Sequence, residues 1–209
     1  MAVVNLRKSI LMVVAMLVGL TCLYAASNQH TKAFKFFPFF GGPFDGTTVN
    51  GSSVKLTRSA NAVWIRVNTT QLPAGTYTNW WVVFNNPAAC SSGACGADDF
   101  FNPPVGASVF FATGGVVGGN GVGHFDAHLD ENEISAIPGQ HLFGPGLTNA
   151  EGAEIHYVIR YHGPPVASIL NKQLTTFAGG CSGAGQEDPV PADRIYPCYD
   201  PQAAVIPAP

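Results

Sequence analysis

The chain has 209 residues, with 10 Lys and Arg against 13 Asp and Glu and 46% hydrophobic side chains. That is enough apolar material for one domain with a core of its own. Only 11% of residues are charged and the formal net charge is −3, without a basic cluster, which excludes nucleic acid as a partner.

The chain opens with "MAVVNLRKS", carrying Arg7 and Lys8, then the apolar run "ILMVVAMLVGLTCLY", then "AAS". A basic start, a short apolar run and small residues read as a secretory signal peptide over 1–25. The run is too short for a retained membrane span, so no span is expected once it is removed. Cys22 lacks the neighbours of a lipidation site. Removal leaves 184 residues and 8 basic against 13 acidic side chains, a net charge of about −5. The expected location is secreted, periplasmic or at the cell surface.

Residues 26–45 read as an aromatic arm. "FKFFPFFGGPF" holds six phenylalanines, and Pro38 and Pro43 break any period. It either lies on the domain's own apolar surface or offers Phe36, Phe37, Phe39 and Phe40 to a membrane or partner.

Strand patterns follow within a domain expected over 46–200. "SVKLTR" (53–58) alternates, and "NAVWIRVNT" (61–69) is rich in β-branched and aromatic residues. "TYTNWWVVFNN" (76–86) is apolar on both parities through Trp80–Phe84, which predicts a strand inside a sheet. "ASVFFATG" (107–114), "GVGHFDAHLD" (121–130), "EIHYVIRYH" (154–162) and "KQLTTFAGG" (172–180) complete the set, with at most a helical turn or two near 164–172. Short strands separated by Gly, Pro and Asn turns predict an all-β fold, an antiparallel β-sandwich of about seven strands. "GGVVGGNGVG" (114–123) has no Lys-Ser/Thr ending and no following helix, so it reads as a turn or bulge. The Pro- and Ala-rich end, 201–209, reads as a loose tail.

Four cysteines remain beyond the leader: Cys90, Cys95, Cys181 and Cys198. An even count in an exported chain reads as disulfides, and spacing favours Cys90–Cys95 and Cys181–Cys198 over a tetrathiolate metal site.

Two strands concentrate polar chemistry. In "GHFDAHLD", His124, Asp126, His128 and Asp130 share one parity, against Phe125, Ala127 and Leu129. In "AEIHYVIRYHGPP", Glu154, His156, Val158, Arg160 and His162 oppose Ile155, Tyr157, Ile159 and Tyr161. The plain reading is two solvated outer faces, with Arg160 paired to Glu154 or to a carboxylate on a neighbouring strand. The sharper reading is a copper or zinc site built on His156, with help from His128 or Asp126 across strands or from His162. No nucleophile or metalloprotease motif occurs. Asp98, Asp99, Glu151 and Glu154 are open candidates for a carboxylate pair acting on a glycoside.

The pieces "YTNWWVVFNNPAAC", "GAEIHYVIRYHGP" and "LTTFAGGC", with the late Cys198, resemble a group of exported bacterial all-β proteins without an assigned activity. The resemblance runs from about residue 60 to 200. It implies a secreted all-β domain in which positions matching His156, Arg160 and His162 recur, and it implies no reaction. The likeness to chordin-type repeats and to copper–zinc superoxide dismutase sandwiches is one of fold class alone.

The sequence therefore leads to an exported β-sandwich module with a non-catalytic binding, surface or structural role, no cofactor, and an unknown protein or surface ligand as partner. A metal-binding or redox protein using strand histidines is the second reading. A hydrolase of envelope polysaccharide is the third.

Overall fold

The computed structural model describes residues 27–36, 44–181 and 198–209. The expected leader, and Phe37, Phe39 and Phe40 of the expected contact, lie outside these residues. The described chain is mostly β, with two antiparallel sheets and one α-helix.

The four-stranded sheet has the order β1-β4-β5-β8: β1 (Ser27–Thr31), β4 (Ser53–Arg58), β5 (Ala62–Thr69) and β8 (Gly123–Asp130). The seven-stranded sheet has the order β3-β2-β11-β10-β6-β7-β9. It comprises β2 (Phe34–Phe36), β3 (Phe44–Thr48), β6 (Gly75–Phe84), β7 (Ala107–Val117), β9 (His141–Phe143), β10 (Glu154–Tyr161) and β11 (Tyr199–Ile206).

Period-two alternation builds the main core. Val54 and Leu56 of β4, Val63, Ile65 and Val67 of β5, and Phe125 and Leu129 of β8 point inward. They meet Tyr77, Trp81 and Val83 of β6 and Ile155, Tyr157 and Ile159 of β10. This is the packing of two sheets face to face. The other parity of β6, with Trp80, Val82 and Phe84, builds a second cluster with Val105, Val109 and Cys95 on the far side of the larger sheet. All ten residues of β6 are buried, as its apolar run on both parities predicts.

Four expectations are corrected. The described residues hold eleven strands, more than the seven expected. The segment 172–180 is not a strand: Leu170–Thr175 forms the helix α1, in which Leu170, Lys172, Gln173 and Leu174 favour helix, and Gly179 and Gly180 follow it. A β-carbon on Gly114 would collide with the Leu174 carbonyl, so glycine there lets α1 settle on β7. The described residues of the stretch before residue 46 are not a separate arm but sheet strands: β1 pairs with β4, β2 with β11, and β3 with β2. Exposed strand edges recruit any extended chain that can satisfy their amides. Nor is the end a loose tail. β11 is hydrogen-bonded between β2 and β10, and Ala203, Ala204 and Ile206 are buried.

The expected disulfides, Cys90–Cys95 and Cys181–Cys198, are both present. The second holds the start of β11 against the loop after α1. The two ends of the described chain also meet. The Gln29 side-chain amide donates to the Pro207 carbonyl at 2.9 Å, and the buried Arg58 guanidinium reaches Gln29, Ala150 and Pro207 together. Burial pushes the Arg58 guanidinium down to about 10.

Candidate functional site

β10 positions its polar residues by alternation, but their face is not solvated. Loop 87–105, α1 and the Phe177–Cys181 loop cover it. Arg160 and His162 have no exposed surface, and Glu154 and His156 are buried. The sequence shows alternation without showing that a further layer closes over the outer parity.

Each polar group there is held by the fold. Glu154 Oε1 accepts from the His156 Nε2–H at 2.7 Å and from the Cys95 amide at 3.1 Å. Arg160 donates to Asp200 at 3.0 Å and to the Phe177 carbonyl at 3.0 Å, with its guanidinium 3.9 Å above the Phe177 ring. Asp200 lies on β11, so the expected partner on a neighbouring strand is the one present. Burial pushes the Asp200 carboxyl up and the Arg160 guanidinium down, and their ion pair opposes both shifts.

His162, at the rim of β10, is wired from both nitrogens. Nδ1 stands 2.7 Å from the Gly179 carbonyl, which can only accept, so Nδ1 carries the proton. Nε2 then accepts from the Thr78 hydroxyl at 2.6 Å, and Thr78 Oγ1 accepts from the Trp80 indole N–H at 2.7 Å. Desolvation, aided by the Arg160 charge and opposed by Gly179, lowers the imidazole pKa to about 4. His162 is neutral at ordinary pH.

The expected copper or zinc site across β8 and β10 is not assembled. His128 and Asp126 lie on the outer face of the four-stranded sheet, whereas His156 and His162 are buried in the seven-stranded one. Among the described residues two donor groups cluster elsewhere: His162 with Cys181 and Cys198, and Asp99 with Cys90 and Cys95. Both pairs of sulfurs are joined as disulfides, and a metal ligand needs the thiolate. The Asp99 carboxylate accepts from the Ser91 and Gly96 amides, which hold its pKa below the usual range. Asp98 and Glu151 are exposed. Among the described residues no helix is long and apolar enough to cross a membrane.

Among the described residues, the outer face of the four-stranded sheet is an accessible polar surface. Register lines its side chains into rows across the strands: Asn28–Thr57–Trp64–His128, His30–Lys55–Arg66–Asp126, and Ser53–Asn68–His124. Thr57 donates to Asn28 at 3.0 Å, Arg66 pairs with Asp126 at 2.8 Å, and His124 bonds Asn68 at 2.7 Å. The Trp64 indole stacks on the His128 ring, with centroids 4.9 Å apart and planes at 27°. Trp64 keeps 43% of its surface exposed while Trp80 and Trp81 keep 1% each. Lys55, Thr57, Trp64, Arg66, Asp126 and His128 line an open depression of about 550 Å³.

Sequence reading placed His128 and Asp126 outward but missed Trp64. The signal was there: Trp64 shares parity with Arg66 and Asn68, opposite Val63, Ile65 and Val67. Arg58 and Gln173 were also missed. Gln173 is fully buried and ties Val166, His162 and Pro164 together. Polar residues that fasten loops have no periodic signature.

The fold and its stapling define a disulfide-bonded all-β sandwich with one wet, aromatic-bearing face. No family model, no curated protein and no solved structure matches the chain.

Proposed function

We propose that this protein is an exported, non-catalytic binding module whose contact surface is the outer face of the four-stranded sheet. The observation that carries the reading is the contrast between the two polar faces. On β10 the ionisable groups are spent on internal bonds, whereas Trp64 and its polar neighbours stand open to solvent. The two disulfides fit an oxidising compartment, as does the leader-like start of the chain.

Co-sedimentation of the folded protein with the cell-surface fraction of its source tests this. Trp64→Ala is expected to abolish binding, and Ala at Phe36, Phe37 and Phe39 to leave it intact. The opposite pattern would move the contact to the Phe-rich segment.

A second reading, metal binding by copper or zinc, has one observation behind it: His162 Nδ1 lies 3.4 Å from Cys181 Sγ and 3.7 Å from Cys198 Sγ. Elemental analysis of protein purified with and without reductant tests it. Stoichiometric metal in the reduced protein supports the reading, and none in either form removes it.

A further inference from the structure

Resting on the binding-module reading, the outer face of the four-stranded sheet also carries information about its ligand. Three features narrow the class. The first is charge. Lys55 and Arg66 are matched by Asp126 and Asp130, and Arg66 is already neutralised by Asp126 at 2.8 Å. Such a face neither gathers a polyanion nor a polycation, since both need an excess of one sign.

The second is polarity. Of the residues in the three rows, Trp64 alone offers a large apolar surface, and the others are Asn, Ser, Thr, His, Lys, Arg and Asp. An acyl chain or an apolar helix face would strip water from those groups without replacing their hydrogen bonds. The fitting ligand has hydrogen-bonding groups along its length and an apolar patch where it meets the indole.

The third is the posture of Trp64. The His128 ring lies against one face of the indole, so its exposed area belongs to the opposite face and rim. A side chain so braced loses little freedom on binding. The depression beside it is lined from β4 by Lys55 and Thr57. The two longer rows span four strands, roughly 14 Å at sheet spacing, which accommodates a short run of linked units.

A sugar ring meets all three conditions. One of its faces presents C–H groups that stack on an aromatic plane, and its rim is a belt of hydroxyls that both donate and accept. We propose that the Trp64–His128 ladder is a binding site for a neutral polysaccharide, with Trp64 as stacking platform, His128 as its brace, and Thr57, Asn68, Lys55 and Asp126 as hydroxyl partners.

Native affinity electrophoresis of the full chain tests this. The gels contain hydroxyethylcellulose, mixed-linkage β-glucan, galactomannan or, as a polyanion, alginate. Emission of Trp64, the exposed indole of the three, is followed in parallel. The expected result is retardation and altered emission with at least one neutral polymer, insensitive to high salt. Trp64→Ala should weaken it by about tenfold or more, Trp64→Tyr should largely retain it, and His128→Ala should weaken it a few-fold. Circular dichroism and thermal midpoints confirm that each variant is folded. Retardation by alginate alone, lost at high salt, overturns the proposal, as does neutral-polymer binding that Trp64→Ala leaves unchanged. Absence of retardation in every neutral polymer also overturns it. If the protein then still sediments with the cell-surface fraction through Trp64, the binding-module reading stands and only the ligand class falls.

Discussion

His162 shows how burial turns an ordinary side chain into a pH sensor of the fold. Its pKa falls from 6.5 in the open chain to about 4 when folded. The folded state therefore favours the neutral ring. That stability is fully present above pH 6.5 and is lost as pH falls toward 4, reaching about 3 kcal/mol. Urea midpoints at pH 7.5 and 4.5 should show a smaller acid loss for His162→Gln than for the native chain; equal losses would remove His162 as the cause. Arg160 gives a second test. Arg160→Ala leaves the mostly buried Asp200 carboxylate without its ion pair and should destabilise by about 3 kcal/mol. Arg160→Lys should recover only part, because an ammonium cannot reproduce the planar fork and the stack on Phe177. Tyr157 behaves oppositely. Its buried hydroxyl has no protein partner among the described residues, so Tyr157→Phe should leave the urea midpoint unchanged or raise it. At this scale the sequence told parity well. It could not tell which outer parity stays wet, because the covering residues, Phe177 and Gln173 among them, come from loops distant in the chain.

Among elements, β11 was the hardest to read and matters most. Pro201, Pro207 and Pro209 suggested a frayed end, yet "AAVI" between them is a buried strand. Pro201 lies where the pairing with β10 slips, between Ile159↔Gln202 and Tyr161↔Tyr199, so its missing amide hydrogen falls at an irregularity. β11 is internal to its sheet, and deleting residues 199–209 should leave no cooperative unfolding transition. Replacing Cys181 and Cys198 with Ser keeps the strand but releases its staple, which closes a 17-residue separation. The expected loss is about 3 kcal/mol by loop entropy, read from thermal or urea midpoints. α1 was misread for a related reason: a six-residue segment is too short for either period to be told from the other.

At the level of the whole molecule the two sheets play unequal parts. The central strands of the seven-stranded sheet, β6 and β10, are covered on both sides, by the smaller sheet and by loops with α1. The four-stranded sheet is covered on one side and shows the solvent its polar ladder. The sandwich itself was legible, since it follows from alternation and turn residues spread along most of the chain. The ladder was legible only in part, since rows depend on which strands are neighbours. This asymmetry makes a sharp prediction about stability. Trp64→Ala removes an indole from the wet face and should shift unfolding by no more than about 0.5 kcal/mol, whereas Ala at Trp80 or Trp81 should cost about 3–5 kcal/mol. Denaturation of the three variants side by side checks it.

The contact of Gln29 and Arg58 with Pro207 brings β1 and the end of β11 side by side. A flexible peptide bridge from residue 209 back to 27 would join two segments that already touch through the Gln29 side chain. Cyclisation there would restrict the denatured ensemble without straining the native one. New ends opened at the exposed turn 118–120 would give a permuted chain that keeps both sheets and leaves the ladder's register untouched.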